Sequence, residues 1–302
     1  MSMVPSSLSL RDRTLAPERY HQVTKVALVL LCAIVVTGAA VRLSGSGLGC
    51  DDWPNCNSER LVDVSTGHAA IEQVNRLFTG AVAAAVAIAV LGARLRTPRR
   101  ADLEWLAYGL VAGVIAQILL GALLIKVELH PISVQGHFLL SMALVANAVV
   151  LVRRSGAADG VEPGIARLRR HRWVLAAVTG IALVTGTVVT GAGPHAGDED
   201  VTRLDFAIPT VARIHSLTVL SAVAVALALA LRLRASPVLG SSATARALSS
   251  WVVVALLQGM IGYVQYFADV PPLLVGGHVL GATILWGITV WLVMDDRSTP
   301  AL

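Results

Sequence analysis

Eight apolar stretches, each on the order of 20 residues, follow one another along the chain with polar segments between them. They fall at 25–42, 68–92, 104–126, 131–152, 172–191, 209–231, 247–267 and 271–293. Each is long enough to cross the hydrocarbon core of a bilayer as a helix. Inside lipid every backbone amide needs a partner within the protein, so stretches of this length predict helices rather than strands. The pattern therefore predicts an all-α polytopic membrane protein with eight transmembrane helices. Composition agrees: 55% of the 302 residues are hydrophobic and 14% are charged, with a mean hydropathy of +0.71. A soluble chain would carry about 25% charged residues. The first run ends in Thr-Gly-Ala-Ala-Val at 37–41, which looks like a small-residue cleavage site behind a secretory signal. It is expected to stay, because it belongs to an internal repeat.

The basic residues orient the spans. Arg11, Arg13, Arg19, Lys25, Arg94, Arg96, Arg99, Arg100, Arg153, Arg154, Arg167, Arg169, Arg170, Arg172, Arg232, Arg234, Arg246 and Arg297 all fall on one side. The opposite loops hold Arg42, Arg60, Lys126 and Arg203 against Asp51, Asp52, Glu59, Asp63, Asp198, Glu199, Asp200 and Asp205. Basic loops stay in the cytoplasm, so both termini are expected there. The net charge of +5 then reflects topology, and no nucleic-acid partner is expected. Trp105, Trp173 and Trp251 each fall where an odd-numbered helix leaves the cytoplasm, as an interfacial aromatic belt would. His21 and His171 sit among the cytoplasmic basic residues and are expected to meet headgroups.

The chain repeats itself. QILLGALLIKVELHPISVQGH at 117–137 matches QGMIGYVQYFADVPPLLVGGH at 258–278, with Gln117, Gly121, Pro131 and His137 opposite Gln258, Gly262, Pro272 and His278. TGAAV at 37–41 matches TGTVV at 185–189, and Asn75-Arg76 falls opposite His215-Ser216. The expected plan is two tandem pseudo-symmetric four-helix bundles related by an axis along the membrane normal. The expected segments are a cytoplasmic stretch 1–24, a first bundle 25–152, a basic cytoplasmic linker 153–171, a second bundle 172–293 and a tail 294–302.

Three times a proline precedes a histidine by six residues: Pro131–His137, Pro209–His215 and Pro272–His278. Proline suits a first helical turn, where its missing N–H has no partner to lose. The helix rise then sets each imidazole about 9 Å below its proline. His215 and His278 thus share a depth on helices 6 and 8. Histidines facing each other across a bundle can hold the iron of a planar macrocycle from both sides. A lone intramembrane histidine is often just a hydrogen-bond partner between helices, but two at equal depth behind the same proline spacing favour ligation. The first half has His137 opposite His278, and Asn75 where a histidine would pair with it. Asparagine binds iron poorly, so that half is expected to leave one face of an iron open. His68, Glu72, Asn75 and Thr79 share one helical face. His68 is the alternative ligand to Asn75, although it lies nearer the outer surface.

With these residues assembled, the chain resembles the heme A synthase family over nearly all eight helices. TGAAVRLSGSGLGCDDWPNC at 37–56 is similar to that family's first outer loop, and IEQVNR at 71–76 resembles its Glu-x-x-His-Arg motif with Asn75 in the histidine position. GPHAGD at 193–198 resembles its outer loop after helix 5. The asparagine resembles an actinobacterial-type variant of the family. The resemblance implies oxidation of one methyl group of heme O to the formyl group of heme A, in oxygen-dependent steps, for cytochrome oxidase. It implies a permanent heme b on His215 and His278, substrate heme O near His137, and Glu72 as catalytic carboxylate. It also implies a heme O synthase (farnesyltransferase) supplying the substrate, an electron donor, a receiving cytochrome oxidase, and a multi-pass place in the plasma membrane. The isoprenoid tail of heme O would need an apolar slot among the helices.

The residues leave several roles open. Glu72 either moves protons or pairs with Arg76 one turn on. Arg76 and Arg42 either meet heme propionates or, for Arg42, reach the outer headgroups. Cys50 and Cys56 flank a short loop on the extracytoplasmic side, where disulfides persist, so a disulfide is expected, either bracing the loop or exchanging electrons. Cys32 reads as a packing residue. His195 and Asp198 lie at the outer mouth, with propionate contact open to His195, and His130 stands where it could cap the pocket. Rival readings are a b-type electron-transfer cytochrome, a thiol-disulfide oxidoreductase using the outer Cys pair, and a repeat-built transporter.

Overall fold

The computed structural model describes residues 14–156, 168–235 and 243–294. Among them are eight long helices: α1 (Pro17–Leu43), α2 (Gly67–Leu95), α3 (Ala101–Lys126), α4 (Pro131–Ser155), α5 (Arg169–Ala192), α6 (Ile208–Arg234), α7 (Ala243–Phe267) and α8 (Pro272–Val293). All eight are long and apolar enough to span a bilayer, and the protein is an all-α, eight-span membrane protein. Most helices run past the apolar stretch that announces them, mainly toward the basic end. α1 begins at Pro17 rather than at residue 25, and α4 and α5 reach into the expected linker 153–171. Hydropathy marks where a helix enters lipid, whereas the backbone ladder continues for as long as nothing breaks it. Of the residues discussed above, Arg11, Arg13, Arg167 and Arg297 lie outside the described residues.

Prolines and caps open the helices as the sequence suggests. Pro131 and Pro272 occupy the first position of α4 and α8, and the Thr66 hydroxyl accepts the Ala69 amide at 3.1 Å to cap α2. The α3–α4 and α7–α8 connections close alike. Glu128 and Leu129 have φ of 49° and 55°, and Asp269 and Val270 both have φ of 57°. The Leu129 amide donates to Leu124 O and the Val270 amide to Gln265 O, each at 2.8 Å. A β-branched residue such as Val270 is strained in this left-handed region. Its carbonyl accepts from His195 Nε2 at 2.7 Å, which helps to hold the turn.

Two apolar cores form, one among α1–α4 around Leu31, Val86, Leu110 and Leu151, the other among α5–α8 around Leu175, Leu229, Trp251 and Leu292. A third cluster joins them: Val35 of α1 and Met142, Val145 and Val149 of α4 pack with Trp286 and Val290 of α8. Trp286 Nε1 also crosses this seam to Met142 O at 2.9 Å. Large apolar side chains cover the outside, among them Leu273 at 91% exposure and Phe267 at 78%, as a lipid-facing surface requires.

Two residues expected at the interface, Trp251 and His21, and one read as a basic loop residue, Arg172, differ. Trp251 is 1% exposed and donates to Thr289 Oγ1 at 2.8 Å, so it is core, while Trp105 and Trp173 are exposed as a belt residue would be. Arg172 is buried and donates to Leu292 O at 3.2 Å. His21 Nδ1 bonds Ser155 Oγ at 3.0 Å across the basic end instead of standing free. In each case a polar partner on a neighbouring helix draws the side chain inward, and a single helix carries no sign of that partner.

Candidate functional site

His215 on α6 and His278 on α8 face each other with ring centroids 6.4 Å apart and planes inclined by 77°. The small residues of adjacent helices make room for them. A Cβ on Gly186 of α5 would lie 3.1 Å from His215 Cε1, and one on Gly262 of α7 would lie 3.4 Å from His278 Cε1. His215 Nδ1 is hydrogen-bonded to the Thr185 hydroxyl at 3.1 Å, which leaves Nε2 as the nitrogen available to a ligand. The His278 Nδ1 is buried without a hydrogen-bond partner, and its carbonyl accepts from Gln258 Nε2 at 2.6 Å.

The first half holds the related residues in related contacts. Thr37 donates to Asn75 Oδ1 at 2.8 Å, as Thr185 bonds His215. Gln117 Nε2 donates to His137 O at 3.0 Å, as Gln258 does to His278 O. A Cβ on Gly121 would lie 3.7 Å from His137 Cε1, and His137 Nδ1 is again buried without a partner. The difference is on α1: a Cβ added to Gly38 would meet nothing within 4 Å, because the shorter Asn75 leaves open the space that His215 fills beside Gly186. The sequence showed Thr37, Thr185, Gln117 and Gln258 as repeat landmarks without showing that they hold these side chains.

Two imidazoles at this spacing admit one metal ion. Two metal–nitrogen bonds of about 2 Å, with about 1 Å more from each nitrogen to its ring centre, span about 6 Å. Among the described residues no group of three or more His, Cys, Asp or Glu side chains could hold a metal. An iron porphyrin, which brings its other ligands itself, fits a donor set of two imidazoles.

Glu72 and Arg76 lie on the same face of α2 as Asn75's neighbours toward the Cys loop. Glu72 is 7% exposed, and its Oε1 accepts from Arg76 Nη2 at 2.7 Å and Nε at 3.0 Å. Its Oε2 accepts the Cys50 amide at 2.8 Å. Arg76 also donates to Asn55 O at 3.0 Å and Asp52 O at 3.1 Å. The ion pair thus forms, and both partners grip the loop closed by the Cys50–Cys56 disulfide. Arg76 thus commits most of its donors to Glu72 and this loop. His68 Nδ1 bonds Ser46 Oγ at 2.9 Å at the exposed start of α2. Arg42 turns inward to His195 O at 2.6 Å, away from the headgroups. His130 is exposed. Cys32, the free cysteine, lines an apolar cavity of about 400 Å³ with Leu28, Val145, Val149 and Trp291.

Fold and site define an eight-span membrane protein with a paired-imidazole centre and a disulfide-closed loop docked on a buried carboxylate. The chain belongs to the cytochrome oxidase assembly protein family, whose model matches residues 22–72 and 59–290. It is 28% identical over 170 residues to the heme A synthase of Lysinibacillus sphaericus (strain C3-41), an alignment covering 54% of this chain and 55% of that protein. It is 26% identical over 148 residues to the heme A synthase of Shewanella oneidensis (strain MR-1), covering 43% of this chain and 44% of that protein. The chain thus spans about half the length of these curated relatives, 55% and 44%.

Proposed function

We propose that this protein oxidises a methyl group of heme O to the formyl group of heme A, in oxygen-dependent steps, during assembly of cytochrome oxidase. The observation that carries the reading is the inequality of two otherwise matched halves: a His215–His278 pair 6.4 Å apart in one, and His137 with Asn75 in the other. In this reading α5–α8 hold a resident heme b between His215 and His278, and α1–α4 receive heme O on His137. A bound heme b supplies one-electron redox chemistry. Thr185 orients the His215 ring, and Gln258 bonds the backbone that carries His278. Glu72 holds or moves a proton near the reacting methyl, and Arg76 keeps its carboxylate in place. The second half has Ala212 and Ser216 where the first has Glu72 and Arg76, which supports assigning the chemistry to α1–α4. The family and the spans support a multi-pass place in the plasma membrane with the Cys50–Cys56 loop on the extracytoplasmic side. The expected partners are a farnesyltransferase that makes heme O, an electron donor and cytochrome oxidase.

The thiol-disulfide reading loses support because the one remaining cysteine, Cys32, faces an apolar cavity and offers no resolving pair. Extracting pigment from protein purified after co-expression with a heme O synthase tests the reading. Heme b together with heme O or heme A is the expected result. Heme b alone would leave a plain cytochrome, and no heme would end the proposal.

The glycines beside the histidines give a sharper check. Overpacking a filled site costs about 1–3 kcal/mol, so Gly186→Ala, which crowds His215, should weaken heme b retention about tenfold. Gly38→Ala places its methyl in open space and should leave heme b retention unchanged. Heme-to-protein ratios after dilution measure both.

A further inference from the structure

Where the two sets of four helices meet at the disulfide end, a cavity of about 300 Å³ opens between the end of α1 and the loop after α5. Arg42 and Arg203 both line it, with His195, Asp198 and Glu199. Arg42 Nη1 donates to His195 O at 2.6 Å, and Arg203 Nη2 donates to the adjacent carbonyl, Pro194 O, at 2.8 Å. Two guanidinium groups are thus pinned side by side on one short segment. Among the described residues neither takes part in an ion pair. The nearby carboxylates do not answer them: Asp198 Oδ1 accepts the Asp200 amide at 3.4 Å, and Glu199 is exposed. Arg203 Nη1 is buried with no hydrogen-bond partner. A buried, charged donor left without an acceptor is costly.

The walls are built to persist. The Gly47 amide donates to Gly197 O at 2.9 Å, and a Cβ on Gly47 would come within 2.7 Å of Leu129 Cδ1. Gly197 has φ +114°, which side chains rarely adopt. His195 Nε2 ties the same loop to the α7–α8 turn through Val270 O. Depth links the cavity to the histidine pair. Leu43 Cδ1 lies 3.6 Å from a Cβ built on Gly276, and Gly276 precedes His278 by two residues, about 3 Å of helix rise.

We propose that Arg42 and Arg203 form an oxyanion site in the seam, taking either a propionate carboxylate of the bound porphyrin or the phosphate of a lipid headgroup. Both present two oxygens to the planar donor fork of a guanidinium. The assignment rests on the heme reading for its first source and is independent of it for the second. Arg203 offers the anion its unpartnered Nη1, and Arg42 brings the second guanidinium to it from the end of α1.

The test uses the purified full chain with its native pigment and lipid, as wild type, Arg203→Gln and Arg203→Lys. Redox titration and native mass spectrometry are run on each. If a propionate is bound, Arg203→Gln shifts the heme midpoint to lower potential, because a positive charge beside the heme is lost, and Arg203→Lys shifts it less. If a lipid phosphate is bound, the midpoint stays in place and Arg203→Gln loses a co-purifying anionic phospholipid that wild type retains. An unchanged midpoint and unchanged lipid content in a folded Arg203→Gln protein overturn the site. Wild type without heme would sink the functional reading instead, and the lipid measurement would still decide this one.

Discussion

Replacing both His215 and His278 with Ala is expected to remove the reduced-minus-oxidised heme bands of the purified protein altogether. Either single replacement should turn a low-spin spectrum into a high-spin one and strip most of the pigment on dilution. Loss of a group that merely orients a metal ligand weakens binding about 10–100-fold, and loss of the ligand itself should exceed that. The rings stand 6.4 Å apart and no third metal-binding side chain joins them among the described residues, so none of these is placed to take over the bond. His137→Ala serves as the internal control. It lies on α4, beside Gly121 rather than in the α6–α8 pair, so the heme b bands should survive and bound heme O should fall. Bands of full intensity in the double variant would remove the central feature of the functional reading.

Much of this was legible because a few physical signals are strong in one dimension. Lipid forces long apolar runs to be helices, so eight runs gave eight spans. Two cysteines six residues apart in a polar loop gave the Cys50–Cys56 bridge. Proline six residues before histidine put His215 and His278 at one depth, and the fold brings their rings to 6.4 Å from each other. What stayed hidden depends on a neighbour that sequence order does not supply. Trp251 reads as an interfacial residue until Thr289, on the next helix, receives its indole N–H. Arg42 reads as a headgroup anchor until the loop after α5 offers it the His195 carbonyl. Arg203 reads as one more charge in a polar loop, and only the cavity shows its buried Nη1. Glu72 and Arg76 announce their ion pair by spacing along α2, but the grip of both on the disulfide loop comes from the loop's path.

That grip gives Glu72 two possible duties, and two substitutions separate them. Glu72→Ala removes the acceptor of the Cys50 amide and leaves Arg76 a half-buried cation without its carboxylate. Breaking such a pair costs about 3 kcal/mol, so the Ala variant should lose thermal stability and expose the Cys50–Cys56 bridge to reductant. Glu72→Gln keeps an oxygen for the Cys50 amide, and Arg76 keeps Asn55 O and Asp52 O, so the loop should stay docked and the bridge protected. An amide cannot take up and return a proton as a carboxylate does. A positioned acid–base group contributes about 10²–10⁴-fold to rate, so the Gln variant should fold, retain heme b and accumulate heme O, with conversion to heme A lowered at least about 100-fold. Chromatography of extracted hemes reads the conversion, and thiol labelling under mild reductant reads the loop. If Gln instead supports conversion within about twofold of wild type while Ala does not, the smaller effect lies far below that acid–base range. The carboxylate is then a clamp for the loop, and the proton must be handled elsewhere.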